Sequence, residues 1–145
     1  MGIADSNGIT HDFHGHCTVI TDSFMTGTVC KTYRLSASEL ETIFSSVTHN
    51  TELPKEQAIA MAWDSAVADA DATYSCMMHN LICNNCHHHA AYALSVFGRQ
   101  TSMLEAWFLI TFKGRYTSWS ALVITNLPFL IIAAGATIAY IGLSG

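Results

Sequence analysis

Basic side chains are scarce in this chain, which has six lysines and arginines against eleven acids in 145 residues, for a net charge of -5. So few cations cannot form a stripe that follows a phosphate backbone, which excludes a nucleic-acid binder. Charge of either sign ends at Arg115, and residues 116 to 145 carry none. The N-terminus lacks the basic start, apolar run and small-residue cleavage site of a secretory signal. The five cysteines, Cys17, Cys30, Cys76, Cys83 and Cys86, are odd in number and irregular in spacing, which argues against a secreted disulfide scaffold. Reduced thiols facing the cytosol are expected. The length suits one domain with a real core and leaves no room for two.

What is present divides into a polar, mildly acidic part and an uncharged apolar tail. Met1 to Ala4 and Gly8 to Phe13 read as strands joined at Asp5-Ser6-Asn7-Gly8, where an Asn-Gly pair supplies the positive φ angles of a tight turn. Ile9, His11 and Phe13 fall on one face of the second strand, with Thr10, Asp12 and His14 on the other. Cys17 to Ile20 and Thr28 to Leu35 are further strand candidates, rich in β-branched and aromatic residues.

Helical signals follow. Ser36 and Glu39 fit a capping box, and Leu40, Ile43, Phe44 and Val47 give an apolar stripe to about Thr48. Pro54 opens a second helix in which Ala58, Ala62, Ala66, Ala70 and Tyr74 recur at four-residue spacing, with Trp63 and Val67 alongside. Small residues in that stripe predict close packing against another element. A break rich in asparagine, His79 to Asn85, precedes a helix from Cys86 to Phe97 that Gly98 closes. Met103 to Phe112 is apolar but too short to span a bilayer. Trp119 to Leu143 is 25 uncharged residues, more than the roughly 20 that cross a hydrocarbon core of about 30 Å. Pro128 is expected to kink this span, and Asn126 to face a partner or the headgroups. Lys113 and Arg115 stand before it, which by the positive-inside rule places the polar part in the cytosol.

The chemistry concentrates in residues 79 to 89, which hold four of the eight histidines and two of the cysteines. Three readings are open. Cys86 in the first turn of a helix meets free N–H groups and the positive end of the dipole, which favour thiolate, and neighbouring imidazoles can take its proton. Alternatively, Cys76, His79, Cys83 and Cys86, spaced three, four and three apart, could ligate zinc, although one helix cannot wrap a tetrahedral ion and no second Cys-x-x-Cys pair completes a zinc module. Cys83-Asn84-Asn85-Cys86-His87 also matches the Cys-x-x-Cys-His haem attachment pattern, a short pattern that needs an extracytoplasmic compartment.

Several segments together resemble one family. Gly8-Ile9-Thr10-His11-Asp12-Phe13-His14-Gly15, Ala62-Trp63-Asp64-Ser65-Ala66-Val67, Met78-His79-Asn80-Leu81, Asn85-Cys86-His87-His88-His89-Ala90 and Leu127-Pro128-Phe129 are similar to segments of the reversion-to-ethylene-sensitivity family. The resemblance implies a membrane protein of the endoplasmic reticulum or Golgi that regulates a receptor. A more distant similarity joins the order of sheet, then Asn-Cys-x-His helix start, to circularly permuted papain-like thiol proteins, which include peptidases and acyltransferases. It implies that Cys86 is the nucleophile, with His88 at the motif's second position. The general base of those proteins is a first-strand histidine that would fall immediately before Met1. Either the protein begins upstream of Met1 or it lacks that base; within the sequence given, His11 is the best substitute, then His14 and His16.

The expectation is therefore an α+β, permuted papain-like domain over residues 1–100, an interfacial or re-entrant segment over 101–116 and a transmembrane helix over 117–145. No cofactor is expected. The expected partners are the lipid bilayer and another membrane protein, with no nucleic acid. The expected function is regulation or adaptation of that membrane protein, the alternative being a Cys86-dependent hydrolase or acyltransferase.

Overall fold

The computed structural model describes residues 1–24, 27–47 and 52–144. Thr48, where the first helix was expected to end, lies outside them. The chain is α+β. Strands β1 (Ile3–Ala4), β2 (Thr10–Gly15) and β3 (Thr18–Thr21) form an antiparallel sheet in that order, with Ile3 opposite His11 and Asp12 opposite Ile20. The β1–β2 turn forms as its residues dictate. Asp5 Oδ1 accepts from the backbone N–H groups of Asn7 (3.0 Å) and Ile9 (2.8 Å), and Gly8 takes the required positive φ of 85°.

Three helices follow, α1 (Ala37–Val47), α2 (Lys55–Tyr74) and α3 (Cys86–Phe97); α2 and α3 pack on the sheet and on each other, and α1 packs on α2. The Ser36 capping box forms, with the Glu39 amide donating to Ser36 Oγ at 3.2 Å and the Ser36 amide donating to Glu39 Oε2 at 2.9 Å. The alanine stripe of α2 is the seam of the domain. Ala66 and Ala70 are buried there, as are Ala90 and Ala93 of α3, and such small side chains let the two helices approach closely. Ile3 and Val67 close one side of this core; Phe44, Ile59 and Phe97 close the other. The β1–β2 hairpin is pinned to α2 by Trp63 Nε1 donating to the Ala4 carbonyl (2.8 Å) and by the Ser6 amide and hydroxyl donating to the Asp64 carboxylate (2.7 Å each).

The fourth strand expected, from Thr28 to Leu35, is reduced to β4 (Lys31–Thr32), which leaves the main sheet and pairs with β5 (Arg115–Tyr116). Between these, α4 (Met103–Phe108) continues into a π-helical turn (Leu109–Lys113). The last helix, α5 (Trp119–Ser144), runs through Pro128 without ending. Residues Trp119–Gly142 are apolar and almost wholly exposed, so this helix is long and apolar enough to cross a membrane. Asn126, expected to face a partner or the headgroups, donates from its amide to the Tyr116 hydroxyl (3.1 Å) and to the Leu122 carbonyl (2.7 Å). An amide in an apolar helix must find acceptors nearby, and Tyr116 stands at the base of the helix.

Candidate thiol–imidazole site

The asparagine-rich break folds into a closed turn that delivers Cys86 to the start of α3. Asn80 and Asn84 exchange backbone hydrogen bonds (2.7 and 3.1 Å), and Asn80 Oδ1 accepts from the Ile82 amide at 2.9 Å. Asn85 is the N-cap. Its Oδ1 accepts from the amides of His87 (2.9 Å) and His88 (3.2 Å), and its Nδ2 donates to the Leu81 carbonyl (2.8 Å). The turn leaves Leu81 and Ile82 at its tip about four-fifths exposed, at 83% and 80%.

The Cys86 sulfur is half-buried and has two polar neighbours. The Met1 nitrogen donates to it at 3.3 Å, and His87 Nδ1 lies 3.7 Å away. Burial, followed by the nearby positive charge of Met1 and by His88, holds the His87 imidazolium less stable than usual. His87 is therefore a neutral imidazole at neutral pH, able to accept the thiol proton. Behind this cluster, Asp12 is 5% exposed, and its Oδ1 stands 3.9 Å from the Met1 nitrogen with no hydrogen bond from any described residue.

The other expected histidines are engaged elsewhere. His11 Nδ1 donates to Asp71 Oδ2 at 2.5 Å, and the fully buried His89 donates from Nε2 to Asp71 Oδ1 at 2.8 Å. Burial by itself raises the Asp71 carboxyl, but the hydrogen bonds from His89 and His11 together outweigh it and hold the group below the ordinary carboxylate value. Because a carboxylate only accepts, each histidine must carry its proton on the nitrogen that faces Asp71. Their far nitrogens, His11 Nε2 and His89 Nδ1, are buried and lack a partner among the described residues. Asp71 thus joins β2, α2 and α3.

His88 braces the cap. Its Nδ1 is 3.1 Å from Asn85 Oδ1 and 3.5 Å from the Asn85 amide, so a protonated Nδ1 donates to the first and a bare one accepts from the second. His14 is half-buried with Nδ1 unpartnered among the described residues, and His16 is exposed. Of the residues weighed as zinc ligands, Cys76 and Cys83 are exposed free thiols, while the His79 ring stacks 5.1 Å from Phe13. Among the described residues no three His, Cys, Asp or Glu side chains are grouped to hold a metal.

Sequence reasoning placed Cys86 at the helix start but missed His87 as the imidazole on its sulfur, and Asp12 and Asp71 altogether. Asp71 had a signal. It continues the Trp63 and Val67 row of α2 at four-residue spacing, and a carboxylate in an apolar row needs a buried partner.

Fold and site define a class: an α+β protein with a cysteine and imidazole cluster at a helix start and an apolar C-terminal helix suited to a membrane. The family model for RTE1-like proteins matches residues 1–114, and the chain belongs to that reversion-to-ethylene-sensitivity family. The match covers both strands and helices of the site and ends just before α5. No solved structure matches the chain.

Proposed function

We propose that this protein is a membrane-anchored regulator or adaptor whose permuted papain-like thiol domain, residues 1–100, docks another membrane protein. The observation that carries this reading is the occupation of the expected histidines: His11 is bound to Asp71 and His88 to the Asn85 cap, so both serve the architecture of the domain. The exposed Leu81 and Ile82 put an apolar tip beside the thiol, suited to a protein partner rather than a small polar substrate. With α5 read as the span, Lys113 and Arg115 before it support a cytosolic orientation of the domain, and the family resemblance supports an endoplasmic reticulum or Golgi membrane.

A second reading is favoured by one contact, the 3.7 Å approach of His87 Nδ1 to the Cys86 sulfur. In a hydrolase or acyltransferase, Cys86 would attack an acyl carbonyl while His87 takes the thiol proton and returns it to the leaving group. Incubation of the full-length protein with an acyl thioester, followed by intact-mass measurement, separates the two. The regulator reading predicts an unmodified chain. An acyl adduct that disappears in Cys86→Ala establishes the enzyme instead.

A further inference from the structure

The segment before α5 has one face packed and the other bare. Ala106 and Leu109 are buried against the domain, at 1% and 5% exposure. On the opposite side Leu104, Trp107, Phe108 and Phe112 are exposed, and three of them form a preassembled aromatic surface: Phe112 lies 4.6 Å from Phe108 and 6.0 Å from Trp107 between ring centroids. The adjoining acid, Glu105, is paired with Arg99 at 3.6 Å, while Lys113 and Arg115 are exposed beside the aromatics.

This surface is braced to the apolar helix by a continuous set of contacts. Lys31 Nζ donates to the Thr111 carbonyl in the π-helical turn (2.7 Å) and sits 4.5 Å from the centre of the Tyr116 ring. The Tyr116 hydroxyl accepts from Asn126 inside α5. Only residues 114 to 118 separate the turn from Trp119, where α5 begins, and five residues reach at most about 18 Å even when fully extended.

We propose that Leu104, Trp107, Phe108 and Phe112 lie in the boundary between headgroups and acyl chains of the leaflet that α5 enters, with Lys113 and Arg115 against the phosphates. Aromatic rings with flanking cations suit that boundary, where one side of a ring is apolar and its edge is wet. The bilayer is the occupant because the surface continues directly into the span. The domain is then held at a fixed tilt on the membrane at two points, the platform and the span. The inference rests on reading α5 as a membrane span.

The test is tryptophan quenching in the full-length protein reconstituted into phosphatidylcholine vesicles, with bromine placed near the headgroups or near the chain ends. Trp107→Phe and Trp119→Phe identify each contribution by difference. The expected result is a component quenched more by shallow than by deep bromine and lost in Trp107→Phe. Phe112→Trp, in the otherwise unaltered chain, should add to that component and gives the same answer if Trp107→Phe folds poorly. Trp119 quenched with Trp107 untouched overturns the platform and leaves the span; neither quenched overturns both. Trp107 quenched best by deep bromine overturns it in favour of a re-entrant segment. Trp107 shielded from lipid and from aqueous iodide, with chains cross-linking as dimers, overturns it in favour of a second copy.

Discussion

Asp71 is the residue on which the domain's elements converge, receiving His11 from β2 and His89 from α3. Asp71→Asn keeps the shape but replaces one accepting oxygen with a donor facing an imidazole N–H. A hydrogen bond to a charged group contributes about 1.5–3 kcal/mol, and a loss of that order is expected at neutral pH. The sign of the pH dependence follows from the lowered carboxyl. Its stabilisation is complete above the ordinary value of 3.8 and is lost as pH falls through the lower value of the folded state. Unfolding of parent and variant in detergent, followed by tryptophan fluorescence from neutral pH downward past 3.8, should show the gap between them closing in acid. A gap that is already zero at neutral pH contradicts the assigned role. The pairing was half legible: the position of Asp71 in an apolar row announced that it needed a partner, but which histidines would reach it depended on how β2 lies across α2 and α3.

At the scale of elements, the helix boundaries were the most legible part, because each rests on local chemistry. Asn85 caps α3 with its own side chain, and Gly98 ends it at a φ of 115°. Gly98 does more than end a helix. A Cβ placed there would come within 2.5 Å of Val47 Cγ2 on α1, so the glycine also sets how closely α1 packs. Gly98→Ala combines that clash with a left-handed backbone that costs about 1 kcal/mol or more without glycine. Thermal unfolding should show a destabilisation of at least that size, and an unchanged midpoint contradicts it. The β4–β5 pair was illegible. Two strands of two residues, more than eighty positions apart, leave no periodicity to read, and their pairing is fixed by Lys31, Thr117 and Tyr116 around the base of α5. The π-helical turn was hidden for a similar reason, since its apolar residues fit an ordinary helix equally well.

For the whole molecule, the contrast between a polar, folded part and an uncharged apolar helix was plain in the sequence because it depends on composition alone. The family match ends at residue 114, on the same divide. The wiring of the site was less plain. Cys86 stands where the asparagines put it, but its sulfur meets His87 and the Met1 nitrogen, while His11 and His88 hold the fold. On the proposed regulator reading, the Cys86 side chain is not needed as a nucleophile. The most direct measurement is complementation of cells from which the protein has been removed, using Cys86→Ser and Cys86→Ala at matched abundance and membrane insertion. Restoration of the lost regulation by both variants is the predicted result; failure of both, with the protein present and folded, contradicts it and makes Cys86 chemistry the function.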